Sequence, residues 1–146
     1  EVHRAMIVAG GEYPAFGPFI RSTPTLGFEH GTWTERTLEP GDKLFVELSG
    51  SAGRYHAPMG RLLFVDKMPP GTEEIAQVCL AAFENVTRAI RPGVAAHQVY
   101  QAWQDRVDAA GLAHYRRHHC GYMVGSAFPP AWSGGVSRAV CAATAI

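Results

Sequence analysis

Apolar and polar positions along this chain change their spacing from one stretch to the next, and each change marks an element. Leu44-Phe45-Val46-Glu47-Leu48 is apolar but for one carboxylate, and a second β-prone run extends from Arg54 to Val65. Pro40-Gly41-Asp42 opens the first run and Pro69-Pro70-Gly71 ends the second, with the small residues Ser49-Gly50-Ser51-Ala52-Gly53 between them. Two such runs around a small-residue break predict an antiparallel hairpin. Further on, Ile75, Cys79, Ala82, Phe83, Val86 and Ile90 recur at helical spacing. They predict an amphipathic helix with Thr72 as its N-cap, running to about Arg91 and stopped by Pro92-Gly93. Val99, Trp103, Val107 and Ala110 predict a second helix closed by Gly111. At the start, Glu1 to Ala9 reads as the last turns of a helix ended by Gly10-Gly11. Pro14 and Pro18 exclude a helix after it, and Phe19 to Ser22 reads as a short strand. A hairpin followed by two antiparallel helices is α+β, with helices expected on one face of a curved antiparallel sheet.

The carboxylate inside the apolar run, Glu47, is the residue that most needs explaining. A buried, unpaired carboxylate is costly, so such a group is neutral, paired or metal-bound. The competing reading places Glu47 on the exposed face of an edge strand. His30 is a loop histidine before Gly31, and His56, alternating with Tyr55 and Ala57, reads as facing solvent. His114, His118 and His119 lie close in sequence, but adjacent histidines on a strand point to opposite faces and make no ready metal site. Cys79 and Trp103 fall on the helix stripes and read as core.

Composition narrows the class of partner. The 146 residues carry 13 basic and 13 acidic side chains, a balance that suggests neither a nucleic-acid nor a membrane partner. No apolar run is long enough to span a bilayer, and no signal peptide is expected. Three cysteines without close spacing fit a reducing, cytoplasmic setting. No Asp or Glu follows Asp108. Neither end reads as a natural terminus, so the chain is expected to be a fragment of something longer.

Leu38, Gly41 and Asp42, then Tyr55 and Arg61, reproduce the turn and return strand of a known hairpin. On these residues the segment resembles the metal-binding hairpin of the pita-bread hydrolases: methionine aminopeptidases, prolidases, Xaa-Pro aminopeptidases and creatinase. Ile90-Arg91-Pro92-Gly93 matches the family's link between helices, and His30 matches a histidine that the family places at its substrate pocket. The family's first metal-binding Asp is matched by Glu47, and its second, eleven residues on, by Pro58. Near the other end His118 matches a pocket histidine, Tyr122 stands where a ligand histidine belongs, and Pro129 takes the position of a further histidine. Gly121-Tyr122-x-x-Gly125, followed by Phe128-Pro129-Pro130-x-Trp132, resembles the ectoine-hydrolase branch.

The resemblance covers residues 1–132 as a partial pita-bread catalytic domain and leaves 133–146 as an irregular C-terminal tail. Because Glu47, Pro58 and Tyr122 replace ligands, and the two glutamates that complete the family's centre have no counterpart after Asp108, it implies no metal and no other cofactor. The activity it implies is hydrolysis of C–N bonds, amide or amidine, in a small substrate. Glu47, His30 and His118 are the expected catalytic residues, and Tyr55, Arg61, Tyr122 and His119 the expected substrate contacts. A homodimeric parent protein is implied, with this fragment alone inactive. Two other readings compete: a metal-dependent Xaa-Pro aminopeptidase or dipeptidase of the same fold, and a catalytically silent pita-bread module that binds another protein.

Overall fold

The computed structural model describes residues 1–14, 17–28, 31–115, 119–122 and 142–143. The chain forms two compact units that divide between Pro69 and Pro70. The first begins with helix α1 (Val2–Val8), ended as expected at the glycines. Gly10, with φ of 90°, donates its N–H to Ile7 and Gly11 to Met6. A side chain at Gly11 would place a Cβ 2.8 Å from the Met6 carbonyl oxygen, which is why glycine stands there.

Three antiparallel strands follow, β1 (Phe19–Ser22), β2 (Lys43–Ala52) and β3 (Tyr55–Phe64), in the order β1-β2-β3. β2 and β3 pair along ten residues each, from Lys43↔Phe64 to Ala52↔Tyr55. The break expected at residues 49–53 is therefore strand as far as Ala52. The reversal needs only Gly53 and Arg54, whose φ values of 55° and 69° are the positive pair that tight hairpins favour. Left-handed backbone is unfavourable for arginine, and Glu12 offsets it. Its carboxylate accepts the N–H groups of Gly53 and Arg54 at 3.2 and 3.1 Å, and the Arg54 guanidinium lies 4.4 Å from the Tyr13 ring centroid.

The open end of the hairpin is closed by Asp42, 6% exposed. Its backbone carbonyl accepts the N–H of Val65, and Gly41 donates back to the Val65 carbonyl. Its carboxylate accepts both terminal nitrogens of Arg36, at 2.6 and 3.2 Å, and the N–H of Glu39 at 2.8 Å. Among the described residues β3 pairs with β2 alone, and Met59, Leu62 and Leu63 on it are exposed.

The second unit is built on α2 (Thr72–Ala89) and α3 (Ala96–Ala109). Ala82, Val86, Val99 and Val107 form its buried apolar core, and Asn85 on α2 donates to the Ala102 carbonyl on α3. The N-cap of α2 is Gly71 at φ 81°, one residue before the expected Thr72, which lies in the first turn. At the start of α3 the Gln98 side chain accepts the Ala95 N–H at 3.0 Å. Gly111, at φ 73°, ends α3 as expected. β4 (Gly121–Tyr122) pairs with β5 (Ala142–Ala143), a strand within the tail expected to be irregular. No helix among the described residues is long and apolar enough to cross a membrane.

The Arg36 guanidinium, bonded to the Asp42 carboxylate, holds that carboxyl below the usual carboxylate range, and the Glu39 N–H adds to the effect. A carboxyl whose native pKa is depressed contributes stability above its unfolded value, near pH 4, and loses it as pH falls through the lower native value. Asp42→Asn should therefore lower the melting temperature by several degrees at pH 7, with the gap narrowing below about pH 4. Thermal unfolding of both proteins across pH 3–7 checks this; a gap independent of pH would refute the assignment.

Candidate functional site on the hairpin

Side chains alternate across a sheet, and residues directly opposite share a face. The register thus assigns each hairpin residue a side. One face carries Phe45, Glu47, Ser49 and Ser51 from β2, with Leu62, Gly60, Pro58 and His56 opposite them on β3 and Phe19 and Arg21 from β1. The other carries Leu44, Val46 and Leu48, with Arg61, Met59, Ala57 and Tyr55.

Glu47 lies on the central strand, between Phe19 of β1 and Gly60 of β3, and is half-buried. The edge-strand alternative is thereby excluded. Gly60 presents no side chain across from it, and the vacant space is taken by the Phe45 ring: a Cβ on Gly60 would stand 3.1 Å from the ring. The ring's environment is completed by Arg21, whose guanidinium lies 4.5 Å from the centroid. Arg21 Nη1 also donates to the carbonyls of Phe28 (2.9 Å) and Leu26 (3.3 Å), fastening the loop after β1 to this face.

Beyond Glu47 the same face stays polar although it is buried. Ser49, Ser51 and His56 are 6%, 3% and 8% exposed. His56, expected to face solvent, is an inward residue: it does alternate with Tyr55 and Ala57, but it pairs with Ser51 on the buried face and they are the exposed ones. Sequence reasoning missed this strip. The signal was present: polar residues at alternate positions 47, 49 and 51 continue a strand period through the supposed break.

The remaining expected site residues fall elsewhere. Tyr55 and Arg61 occupy the face opposite Glu47 and are exposed; Arg61 Nη1 donates to the Gly60 carbonyl at 2.7 Å. His119 and Tyr122 belong to the second unit, His119 exposed and Tyr122 half-buried on β4. His30, His118 and Pro129 lie outside the described residues. A cleft of about 320 Å³ lined by His3, Met6, Ile7, Tyr13, Pro14 and Gly17 contains no hairpin residue.

The donor set tests the metal question. Glu47 pairs with Gly60 and Ser49 with Pro58, so Glu47 and Pro58 are diagonal neighbours on one face. That is the geometry in which two carboxylates would converge on an ion, and proline brings no donor to it. Transition-metal sites draw several N or O ligands at about 2.0–2.2 Å, and the hairpin offers one carboxylate. Among the described residues no group of three or more His, Cys, Asp or Glu is placed to hold a metal ion. The described residues do not by themselves make up a two-metal centre.

Comparison with known proteins places this arrangement. The model of metallopeptidase family M24 matches residues 1–141. An uncharacterized hydrolase/peptidase of Sinorhizobium fredii, y4tM, is 31% identical over 128 residues, covering 84% of this chain and 31% of its own. Ectoine hydrolase of Halomonas elongata is 30% identical over 125 residues, covering 86% and 31%. The prolidase structure from Pyrococcus furiosus superposes with a TM-score of 0.74 at 25% identity, over 86% of this chain and 37% of that one. The chain spans about a third of the length of the curated relatives it matches.

The packing beside Glu47 makes a stability prediction. Phe45 cannot retreat from a larger residue 60 without leaving Arg21, so Gly60→Val should destabilise the protein by about 1–3 kcal/mol through overpacking. Urea unfolding of the two proteins measures it, and equal midpoints would show that the ring is free to move.

Proposed function

We propose, for a chain that belongs to metallopeptidase family M24, that the protein carrying it hydrolyses C–N bonds of the amide or amidine type in a small substrate, without a metal ion. The partial pita-bread, α+β architecture is the one the hairpin motif implied. Ectoine hydrolase among the relatives supports the substrate class. The observation that carries the metal-independent reading is the lone carboxylate: Glu47 at a half-buried, central position, with Pro58 where a second carboxylate would complete an ion site.

Without a Lewis acid, either a general base takes a proton from water or a carboxylate attacks the carbon directly. Glu47 fills that role in this reading, on a face whose partial exclusion of water strengthens its interaction with a cationic amidine. The departing nitrogen must gain a proton as the C–N bond breaks, and His30 and His118 are the residues proposed to supply it. Tyr122 and His119 remain proposed substrate contacts; Tyr55 and Arg61, on the opposite face of the sheet from Glu47, are too far from it to touch the same small substrate and are dropped from that role.

A second reading has its own support. Xaa-Pro dipeptidase of Pyrococcus furiosus is 26% identical over 125 residues, so a metal-dependent peptidase with altered ligands is the competing proposal. The experiment is turnover of ectoine and of a Xaa-Pro dipeptide by the native gene product, with metal content measured on the same sample. Glu47→Gln, which keeps size and removes charge, should reduce ectoine turnover by about 10²–10⁴-fold. Unchanged turnover would remove Glu47 from the mechanism. Activity on the dipeptide that rises with bound metal would favour the peptidase.

A further inference from the structure

Arg21 is half-buried on the face that carries Glu47, and packing alone does not explain an arginine there. Its Nε is buried without a hydrogen-bond partner, a cost that a methionine against the Phe45 ring would not carry. What the arginine adds is the grip of Nη1 on the loop after β1, at the carbonyls of Leu26 and Phe28. The Phe28 carbonyl is shared. It also accepts the Gly31 N–H at 3.0 Å, which joins the two ends of residues 28–31. Gly31 returns to the same arginine, since a Cβ there would stand 3.3 Å from Arg21 Cγ. Both ends of this segment therefore rest on one side chain, itself packed against the Phe45 ring. The two residues between those ends in the sequence are Glu29 and His30.

We propose that Arg21 is a positioning residue for the reaction: it fixes the segment that carries His30 at a set distance from Glu47. The proposal rests on the reading of Glu47 as base or nucleophile and of His30 as proton donor. Arg21 stands opposite Phe45 and Glu47 opposite Phe19, so Arg21 and Glu47 are diagonal neighbours across β1 and β2. Such positions lie about 7–8 Å apart at the backbone. Cleavage of one C–N bond engages two groups. Glu47 acts at the carbon, and His30 delivers a proton to the nitrogen as it leaves with the bonding pair. Two groups that serve one bond must reach the same small molecule, and a side chain anchored beside the first can hold the second in place. Without Arg21 the loop keeps its own bonds, Thr25 Oγ1 to the Ser22 carbonyl and the Phe28 N–H to that of Thr25. Those bonds hold the loop to itself and to the end of β1; only Arg21 ties it to the face where Glu47 lies.

The test is a double-mutant cycle on the native gene product with ectoine as substrate: wild type, Arg21→Met, His30→Gln and the two together. Methionine keeps an unbranched stem for the Phe45 ring and removes every donor. Arg21→Met should lower kcat by about 10–100-fold with KM unchanged. His30→Gln should lower kcat by about 10²–10⁴-fold. Once the donor is gone its placement no longer matters, so Arg21→Met should lower the residual turnover of His30→Gln no further. A merely structural arginine would give equal losses in both backgrounds. That result, an unchanged kcat in Arg21→Met, or a loss confined to KM overturns the positioning role and leaves the Glu47 reading standing. No turnover of ectoine by the wild type, or unchanged turnover in His30→Gln, overturns both the role and the reading beneath it. Should Arg21→Met fail to fold, Arg21→Lys, which keeps a charged donor, carries the same cycle: a loss that persists undiminished beside His30→Gln overturns the proposal.

Discussion

A slip of one residue between β2 and β3 would carry Glu47, Ser49 and Ser51 to the opposite side of the sheet and bring Leu48 and Gly50 in their place. The chemistry of this face therefore depends first on register, and it is held from opposite ends. At the open end the Asp42 backbone carbonyl accepts the Val65 N–H while its carboxylate orders the preceding turn through Arg36 and Glu39, and at the other end the Glu12 carboxylate fixes the turn through Gly53 and Arg54. Neither belongs to the strands it aligns. Each instead accepts backbone N–H groups that would otherwise be unsatisfied where the chain reverses, so the anchors also meet the hydrogen-bonding demand of the turns.

Between those anchors the sheet divides into a packed part and a polar part. Arg21, Phe45 and Gly60 stack across three strands, with the ring seated where a side chain on residue 60 would otherwise be. That stack borders Glu47 on one side; the enclosed hydroxyls and imidazole border it on the other. The carboxylate thus sits at a boundary between close aromatic packing and an enclosed polar strip. A reacting group is well served by such a place, since the packed side limits its motion.

Much of this was legible before any coordinates, and the exceptions have physical causes. The helices, their glycine ends at Gly10 and Gly111, the short strand at Phe19 and the hairpin follow from periodicity and from residues that tolerate positive φ. The family follows from Leu38, Gly41, Asp42, Tyr55 and Arg61 read together. What was misread is the interval 49–53. Small residues usually mark a loop, yet here Ser49 to Ala52 are strand, and the turn needs only Gly53 and an arginine held in left-handed geometry by Glu12, some forty residues earlier in the chain. Such a restraint is non-local, so a window of neighbours cannot contain it. The same misreading hid the polar strip, and with it the partner that puts His56 on the buried face.

Pro58 was described above only as a missing donor to an ion. It also sits in the middle of β3, whose outer side carries no partner strand among the described residues and whose Met59, Leu62 and Leu63 are exposed. An open, apolar edge of that length is a template for pairing between molecules. Proline has no N–H, and on an edge strand the gap faces outward, so a strand arriving from another molecule finds the ladder interrupted at its centre. One residue in the hairpin thus bears on pairing as well as on chemistry: at Pro58 the strand has no N–H to offer a further strand on that side.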